Sequence, residues 1–432
     1  MAKKLGARRQ AWRRVVYTLR RSPGLARLAT VRFASQFGDG MFQAALGGAI
    51  LFNPERETDP LAIAAGFAVL LLPYSVIGPY AGALLDRWDR RSVLLWANVL
   101  RGLLILVTAV LLGSGAGDTP LLLLALAAIG VSRFVLAGAS AALPRVVHRS
   151  WLVATNSVLA TTGSVITSLG AATSVAIIEV LGSDNRGTSI AVAASASGSM
   201  VGALAASRFH HRLLGPHADE KPAPGAVRAI AAGLRTGLMA VWHSPGVTTA
   251  MIGIGAHRIV FGINTLIMVL VLRDTTTVSP LPDGLAGFGV AVGATAAGML
   301  LAAITTPFLV PRIGRSRTII GGLILAIVVQ LTFVAILTQV SLLGGAFLLG
   351  FAGQTIKLTG DAAMQIEIED DRRGQVFALQ DTVFNAAFVA SIAAASLVVA
   401  PDGQSLPLVL AGGAIYGLGL VSVLFNSRRA TV

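Results

Sequence analysis

Apolar residues along this chain come in runs of twenty or more, broken by short polar stretches. Such runs are too long for strands and too evenly apolar for helices that bury one face. A helix needs about 20 apolar residues to cross the hydrocarbon core of a bilayer. Twelve spans are predicted, at roughly 28–52, 60–84, 93–113, 119–143, 153–181, 187–207, 247–272, 284–310, 318–338, 341–365, 375–400 and 405–426. The long polar interruption, 208–246, carries His210, His211, Asp219, Glu220 and Lys221 and reads as a linker between two halves. Its second part places Val227, Ile230, Leu234, Leu238 and Val241 at helical spacing, which predicts a helix lying along the membrane surface. The predicted layout is therefore a basic segment 1–27, a six-helix half 28–207, the linker 208–246, a second six-helix half 247–426 and a tail 427–432.

Composition agrees. Hydrophobic residues make up 54% of the 432 and charged residues 12%, against about 25% charged in soluble domains. A soluble enzyme, a disordered chain and a nucleic-acid-binding domain are excluded. The net charge of +14 is explained by where the basic residues fall. With the N-terminus in the cytoplasm, inside segments hold 26 Lys/Arg and outside loops three (Arg56, Arg186 and Arg273). Arg32, Arg101, Arg133, Arg258 and Lys357 fall within spans. That asymmetry predicts both termini in the cytoplasm of a multi-pass plasma-membrane (cell inner membrane) protein. The first 27 residues hold nine Lys/Arg and no acid, without the pattern of a secretory signal. There Trp12, Val15, Val16 and Leu19 share a helical face, either as an interfacial helix on anionic lipid or within a basic tail. Cysteine is absent, which excludes disulfides and thiolate chemistry. His210, His211 and His217 lack metal-ligand spacing, so no metal is expected. The sequence holds no phosphate-binding loop and no zinc-protease motif, so neither an ATP-driven machine nor an enzyme is expected, and no cofactor.

Two features recur half a chain apart. LLDRWDRR (84–91) follows the second span and LVPRIGRSR (309–317) the eighth; LAGASAAL (136–143) and LTGDAAMQ (358–365) close the fourth and tenth. With the central linker they predict two six-span halves in parallel repeat.

GALLDRWDRR (82–91) resembles the signature Gly-x-Leu-x-Asp-Arg-x-Gly-Arg-Arg of the major facilitator superfamily, through Gly82, Leu84, Asp86, Arg87, Arg90 and Arg91. Asp89 stands where the second glycine is usual. The resemblance implies an all-α membrane fold of twelve helices in two pseudo-symmetric halves. It also implies that Gly82, Asp86, Arg87, Arg90 and Arg91 act as a latch between the halves, the arginines reaching carboxylates such as Glu367, Glu369, Asp370 and Asp371. Asp86 is further placed to neutralise the N-terminal dipole of the third span. Gly38-Asp39-Gly40 and Arg373-Gly374-Gln375-Val376-Phe377 are similar to the multidrug and siderophore exporter branch, which includes the enterobactin exporter and macrolide efflux proteins. Antiporters of the superfamily carry a Gly-Pro motif in the fifth span; here that span has Gly163 and Gly170 and no proline. Arg133 resembles an arginine implicated in proton transfer in the fourth span.

An ionisable side chain in mid-bilayer costs roughly 2.5–3.5 kcal/mol on insertion scales and is a functional candidate by default. Arg32, Gln36, Asp39 and Gln43 share one face of the first span and are predicted to line a water-accessible cavity. Asp39, between flexible glycines, is the leading proton-coupling candidate, with Arg133, Arg101 and Asp361; the alternative is a fixed ion pair of Asp39 with Arg101 or Arg133. Gln354, Lys357 and Asp361 form a second stripe, in which Lys357 and Asp361 either pair with each other or serve as cavity cation and proton site. His257, Phe261 and Asn264 share a face of the seventh span, with His257 either functional or merely solvated near a helix end.

The resulting expectation is a secondary active transporter, an antiporter coupling protons to efflux of amphipathic small molecules by alternating access, working as a monomer. Two alternatives stay open: a transporter of lipid or lipid-like substrates, and a non-transporting scaffold on a transporter fold.

Overall fold

A computed structural model describes residues 23–52, 60–85, 88–148, 151–215, 226–273, 284–400 and 402–429. Among them thirteen α-helices are found. They are α1 (Pro23–Leu51), α2 (Pro60–Leu85), α3 (Arg90–Gly113), α4 (Asp118–Val146), α5 (Leu152–Leu181), α6 (Asn185–Ser207), α7 (Ala226–His243), α8 (Pro245–Arg273), α9 (Gly284–Ile313), α10 (Arg315–Thr332), α11 (Gln339–Glu367), α12 (Asp370–Ser396) and α13 (Leu406–Arg429). Ten of these contain segments long and apolar enough to cross a membrane. With the charge-bearing α1 and with α2 they make the twelve spans expected; α7 is the linker helix. The segment holding Trp12, Val15, Val16 and Leu19 lies outside the described residues.

The helix ends follow local chemistry. Asp184 caps α6 by accepting from the Gly187 N–H at 2.8 Å. Thr338 and Ser341 form a reciprocal capping box on α11. Gly182 and Gly314 take φ of +104° and +85° at the α5–α6 and α9–α10 turns, where a side chain would be strained. The predicted run 318–338 is corrected in one respect. Its helix stops at Thr332, and a 3₁₀ turn over Val334–Ile336 follows. Leu337 then adopts a left-handed conformation, φ 56°, before the Thr338 cap.

The chain divides into two compact units, Met1–Arg56 with Val76–Val227, and Glu57–Ser75 with Arg228–Val432. The main boundary thus falls inside the linker, while the first part of α2 groups with the second unit, where Phe67 meets Phe388 edge-on at 5.9 Å between ring centroids. In the first unit Leu25, Leu28, Val31, Leu94, Val135, Leu143 and Phe209 share one buried core. In the second, Val241 of α7 is buried with Val247, Met364, Ile368 and Val376. The outward side of α7 keeps Arg235, Leu238, Met239 and Trp242 exposed at helical spacing.

Candidate functional site

Asp39 lies sixteen residues from the start of α1 and twelve from its end. Arg101 in α3 and Ser132 in α4 are equally central in their helices. At 1.5 Å of rise per residue these groups share one level, about 20 Å from either helix end. Asp39 Oδ1 accepts from Ser132 Oγ at 2.6 Å and from Arg101 Nη2 at 3.1 Å. The same Nη2 donates to the Ser35 carbonyl at 3.3 Å. Arg101 is 1% exposed, while the Asp39 side chain keeps 12%. The partner of Asp39 left open by the sequence is therefore Arg101. Arg133, also buried, lies within Coulombic reach of Arg101. Arg32 is buried with its Nε lacking a hydrogen bond among the described residues. Gln36 and Gln43 are half-buried on the same helix. Ser132 was not singled out from the sequence; its only signal is adjacency to Arg133.

The glycines around Asp39 are not hinges. A methyl at Gly38 would come within 2.8 Å of the Ser195 carbonyl of α6, and one at Gly40 would overlap the Thr167 carbonyl of α5. On α5, Gly163 makes room for the Gln36 amide and Gly170 for the Phe37 carbonyl. The expectation of flexible glycines is thus corrected: they let α1 lie backbone to backbone against α5 and α6, fixing Asp39 in place.

The loop motif is described in part. Asp86 and Arg87 lie outside the described residues, as does the side-chain environment at Gly82. Arg90 Nη1 donates to the carbonyls of Ala141 (3.1 Å) and Leu214 (3.3 Å), and Arg91 to those of Phe209 (2.9 Å) and Ser207 (3.4 Å). These arginines close the C-terminal ends of α4 and α6 within their own unit. The side chains of Asp370 and Asp371, two of the cluster of expected acidic partners, lie outside the described residues. Glu367 of that cluster pairs with Arg315 at 3.0 Å and sits against Gly246 in the first turn of α8, where the helix dipole favours a carboxylate. Asp89 occupies the N-cap position of α3 and accepts from Ser92 at 2.8 Å. It sits where a negative charge faces that helix dipole, the role expected of Asp86.

In the second unit, His257 Nδ1 is 2.9 Å from the buried Tyr416 hydroxyl, and the ring stacks on Phe261 at 5.8 Å. Gly353 leaves room for Nε2. His257 is thus held in the interior, not solvated at a helix end. Asn264 and Gln330 form a reciprocal amide pair, at 2.7 and 3.1 Å, and Gln330 also reaches the Val409 carbonyl. Removing one member strands the other. Asn264→Ala or Gln330→Ala should each cost about 1–3 kcal/mol, while Asn264→Leu with Gln330→Leu should cost less than either; thermal melting of the three variants measures this. Lys357 donates to Asp361 at 2.7 Å, and Gln380 to the other Asp361 oxygen at 3.3 Å. Asp381 stands within Coulombic reach of Arg258, Lys357 and Asp361. Nothing in the sequence singled out Asp381 or gave Arg258 a role, although both are charges inside spans.

Two adjoining cavities open beside these residues, both within the second unit. The larger, about 340 Å³, is lined by Phe67, Phe261, Phe288, Phe388 and aliphatic side chains, with Asn264, Thr265 and Thr295 as its polar groups. The smaller, about 110 Å³, is lined by His257, Arg258, Gln354 and Lys357 among others. Phe261 and Thr295 line both. Among the described residues no three His, Cys, Asp or Glu side chains gather as a metal site.

Residues 28–392 match the model of the Major Facilitator Superfamily. An uncharacterized MFS-type transporter of Mycobacterium tuberculosis is 44% identical over 422 residues, covering 97% of this chain and 93% of that protein. Among solved structures, a POT-family peptide transporter in complex with sulfate superposes with a TM-score of 0.68 at 16% identity, covering 94% of this chain and 95% of the other. The nucleoside transporter NupG superposes with 0.66 at 13% identity, covering 93% and 98%. These solved structures share the fold; the family is set by the sequence matches. The chain belongs to the major facilitator superfamily of membrane transporters.

Proposed function

We propose that this transporter couples protons to the export of an amphipathic small molecule by alternating access. The observation that carries the reading is the Asp39–Arg101 contact in mid-helix, made through one carboxylate oxygen with the side chain still partly accessible. Proton binding at Asp39 competes with that contact. A conformation that separates the two groups takes up the proton, and one that rejoins them releases it. The two conformations then differ in proton affinity, as coupling demands. Arg133 lies within Coulombic reach of Arg101, and Asp361, already held by Lys357 and Gln380, is a secondary proton site. The substrate side is supported by the 340 Å³ chamber, whose four phenylalanines and aliphatic lining suit an apolar body. The same lining favours a lipid-like substrate as the second reading, which native lipid co-purifying with the protein would support. Orientation with both termini in the cytoplasm follows from the Lys/Arg asymmetry.

The test is uptake of a panel of amphipathic dyes into inverted vesicles, with an imposed proton gradient and after its collapse by a protonophore. The expected result is gradient-dependent uptake that Asp39→Asn abolishes while the variant remains folded. Gradient-driven uptake at the wild-type rate in Asp39→Asn would remove Asp39 from the coupling step. Dye uptake that ignores the gradient in the wild type would remove proton coupling altogether.

A further inference from the structure

The two adjoining cavities of the second unit have opposite chemistry. The phenylalanine chamber offers three polar side chains in all. The smaller cavity presents Arg258 and Lys357 and has no acid in its lining. Phe261 and Thr295 border both, so the two cavities lie side by side. We infer that the transported molecule is an amphipathic anion, its charged head seated at Arg258 and Lys357 and its apolar body among Phe67, Phe261 and Phe388. This rests on the amphipathic-substrate reading above and narrows it to one charge class.

Arg258 lies thirteen residues from the start of α8 and fifteen from its end, in mid-span. Among the described residues no hydrogen bond engages its guanidinium, which carries five N–H donors. A guanidinium with so many unused donors on a cavity wall can donate to a bound acceptor. Lys357 is better satisfied, through Asp361 at 2.7 Å, yet its side chain stays 41% exposed toward the cavity it lines. The acids near these cations, Asp361 and Asp381, are not among the residues that line the cavity. His257 adds a polar edge, and Gln354 an amide. A carboxylate or phosphate head accepts from Arg258 and from the lysine ammonium together. A neutral head satisfies fewer donors, and a cationic head meets two like charges.

The network makes a clean variant available. Arg258→Gln with Asp381→Asn, or Lys357→Gln with Asp361→Asn, removes one cation and one acid together. Neither double variant strands an uncompensated buried charge.

Protein in lipid nanodiscs is incubated with radiolabelled octanoate, octanol or octyltrimethylammonium, and retention is measured against protein-free nanodiscs. Octanoate is expected to bind at least tenfold more tightly than either other probe. Each charge-balanced variant should reduce that preference to twofold or less with octanol binding unchanged, and Arg258→Lys should keep most of it. If octanol binds as tightly as octanoate, or the cation binds best, the anionic-head assignment is overturned while the amphipathic-substrate reading stands. Should none of the three probes be retained, both fall. A preference that survives in both charge-balanced variants would overturn the placement of the head at Arg258 and Lys357. The wild-type comparison decides the charge class even if a double variant does not fold.

Discussion

Replacing Arg101 with alanine is expected to destabilise the protein by about 3–5 kcal/mol, the usual cost of stranding one member of a buried ion pair. Arg101 is 1% exposed and supplies one of the two contacts to Asp39 Oδ1, the other coming from the Ser132 hydroxyl. Without the guanidinium, the carboxylate keeps a single neutral donor in mid-span. Arg101→Met with Asp39→Asn removes both charges at similar volume and is expected to recover most of the loss. Thermal melting in detergent, read by size-exclusion chromatography, gives the comparison. If Arg101→Ala melts with the wild type, the contact carries no structural weight and this account of how Asp39 is held is wrong. The double variant separates two roles of Asp39: it should be folded yet unable to couple to a proton gradient.

The spans were legible because a bilayer imposes one strong rule: backbone polar groups must be satisfied within a helix over a fixed thickness. Predicted ends and observed ends agree closely for most helices, for example 153–181 against Leu152–Leu181. The α10 break at Thr332 was not legible, since Thr332, Phe333 and Val334 continue an apolar run and nothing local signals a left-handed Leu337. The charged stripe of α1 was readable as a face because helical spacing places Arg32, Gln36, Asp39 and Gln43 together. Spacing within one helix says nothing of which neighbour supplies the partner. Choosing Arg101 over Arg133 required α3 and α4 to be placed beside α1. Asp381 was missed for a related reason. It sits in α12 without a helical stripe of its own, and its meaning appears only when α8 and α11 bring Arg258, Lys357 and Asp361 near it.

The two units also differ in how they treat intramembrane charge. Among the described residues, the buried charged side chains of α1, α3 and α4 are three arginines, Arg32, Arg101 and Arg133, and one acid, Asp39, which pairs with Arg101. In the second unit Arg258 and Lys357 are matched by Asp361 and Asp381. The parallel repeat is therefore kept in helix order and loop position but not in charge. An acid held by one arginine through a single oxygen suits a group whose partner changes between conformations. A balanced network suits a fixed surface that recognises a ligand. That division is the basis on which proton coupling is proposed at Asp39 and substrate recognition at Arg258 and Lys357.

Gly40→Val is expected to prevent accumulation of folded protein, and Gly40→Ala to lower its melting temperature sharply. Even a methyl at Gly40 would overlap the Thr167 carbonyl, and the atoms that would have to give way are backbone of α5, which cannot rotate aside as a side chain can. The facing side is equally tight, since a methyl at Gly170 would overlap the Phe37 carbonyl. α1 would have to lift from α5, carrying Asp39 out of reach of Arg101 and Ser132, so packing and charge contacts would fail together. Gly47 lies on the same helix, and a methyl added there would meet nothing within 4 Å. Gly47→Ala should therefore be neutral or stabilising by up to about 1 kcal/mol through reduced freedom of the unfolded chain. The pair is compared by yield and melting temperature after solubilisation, with the same residue change at two points of one helix. Equal behaviour of Gly40→Ala and Gly47→Ala would mean that the backbone approach of α1 to α5 does not fix Asp39. A sharp contrast between them ties the position of the Asp39 carboxylate to the absence of a side chain at its neighbour.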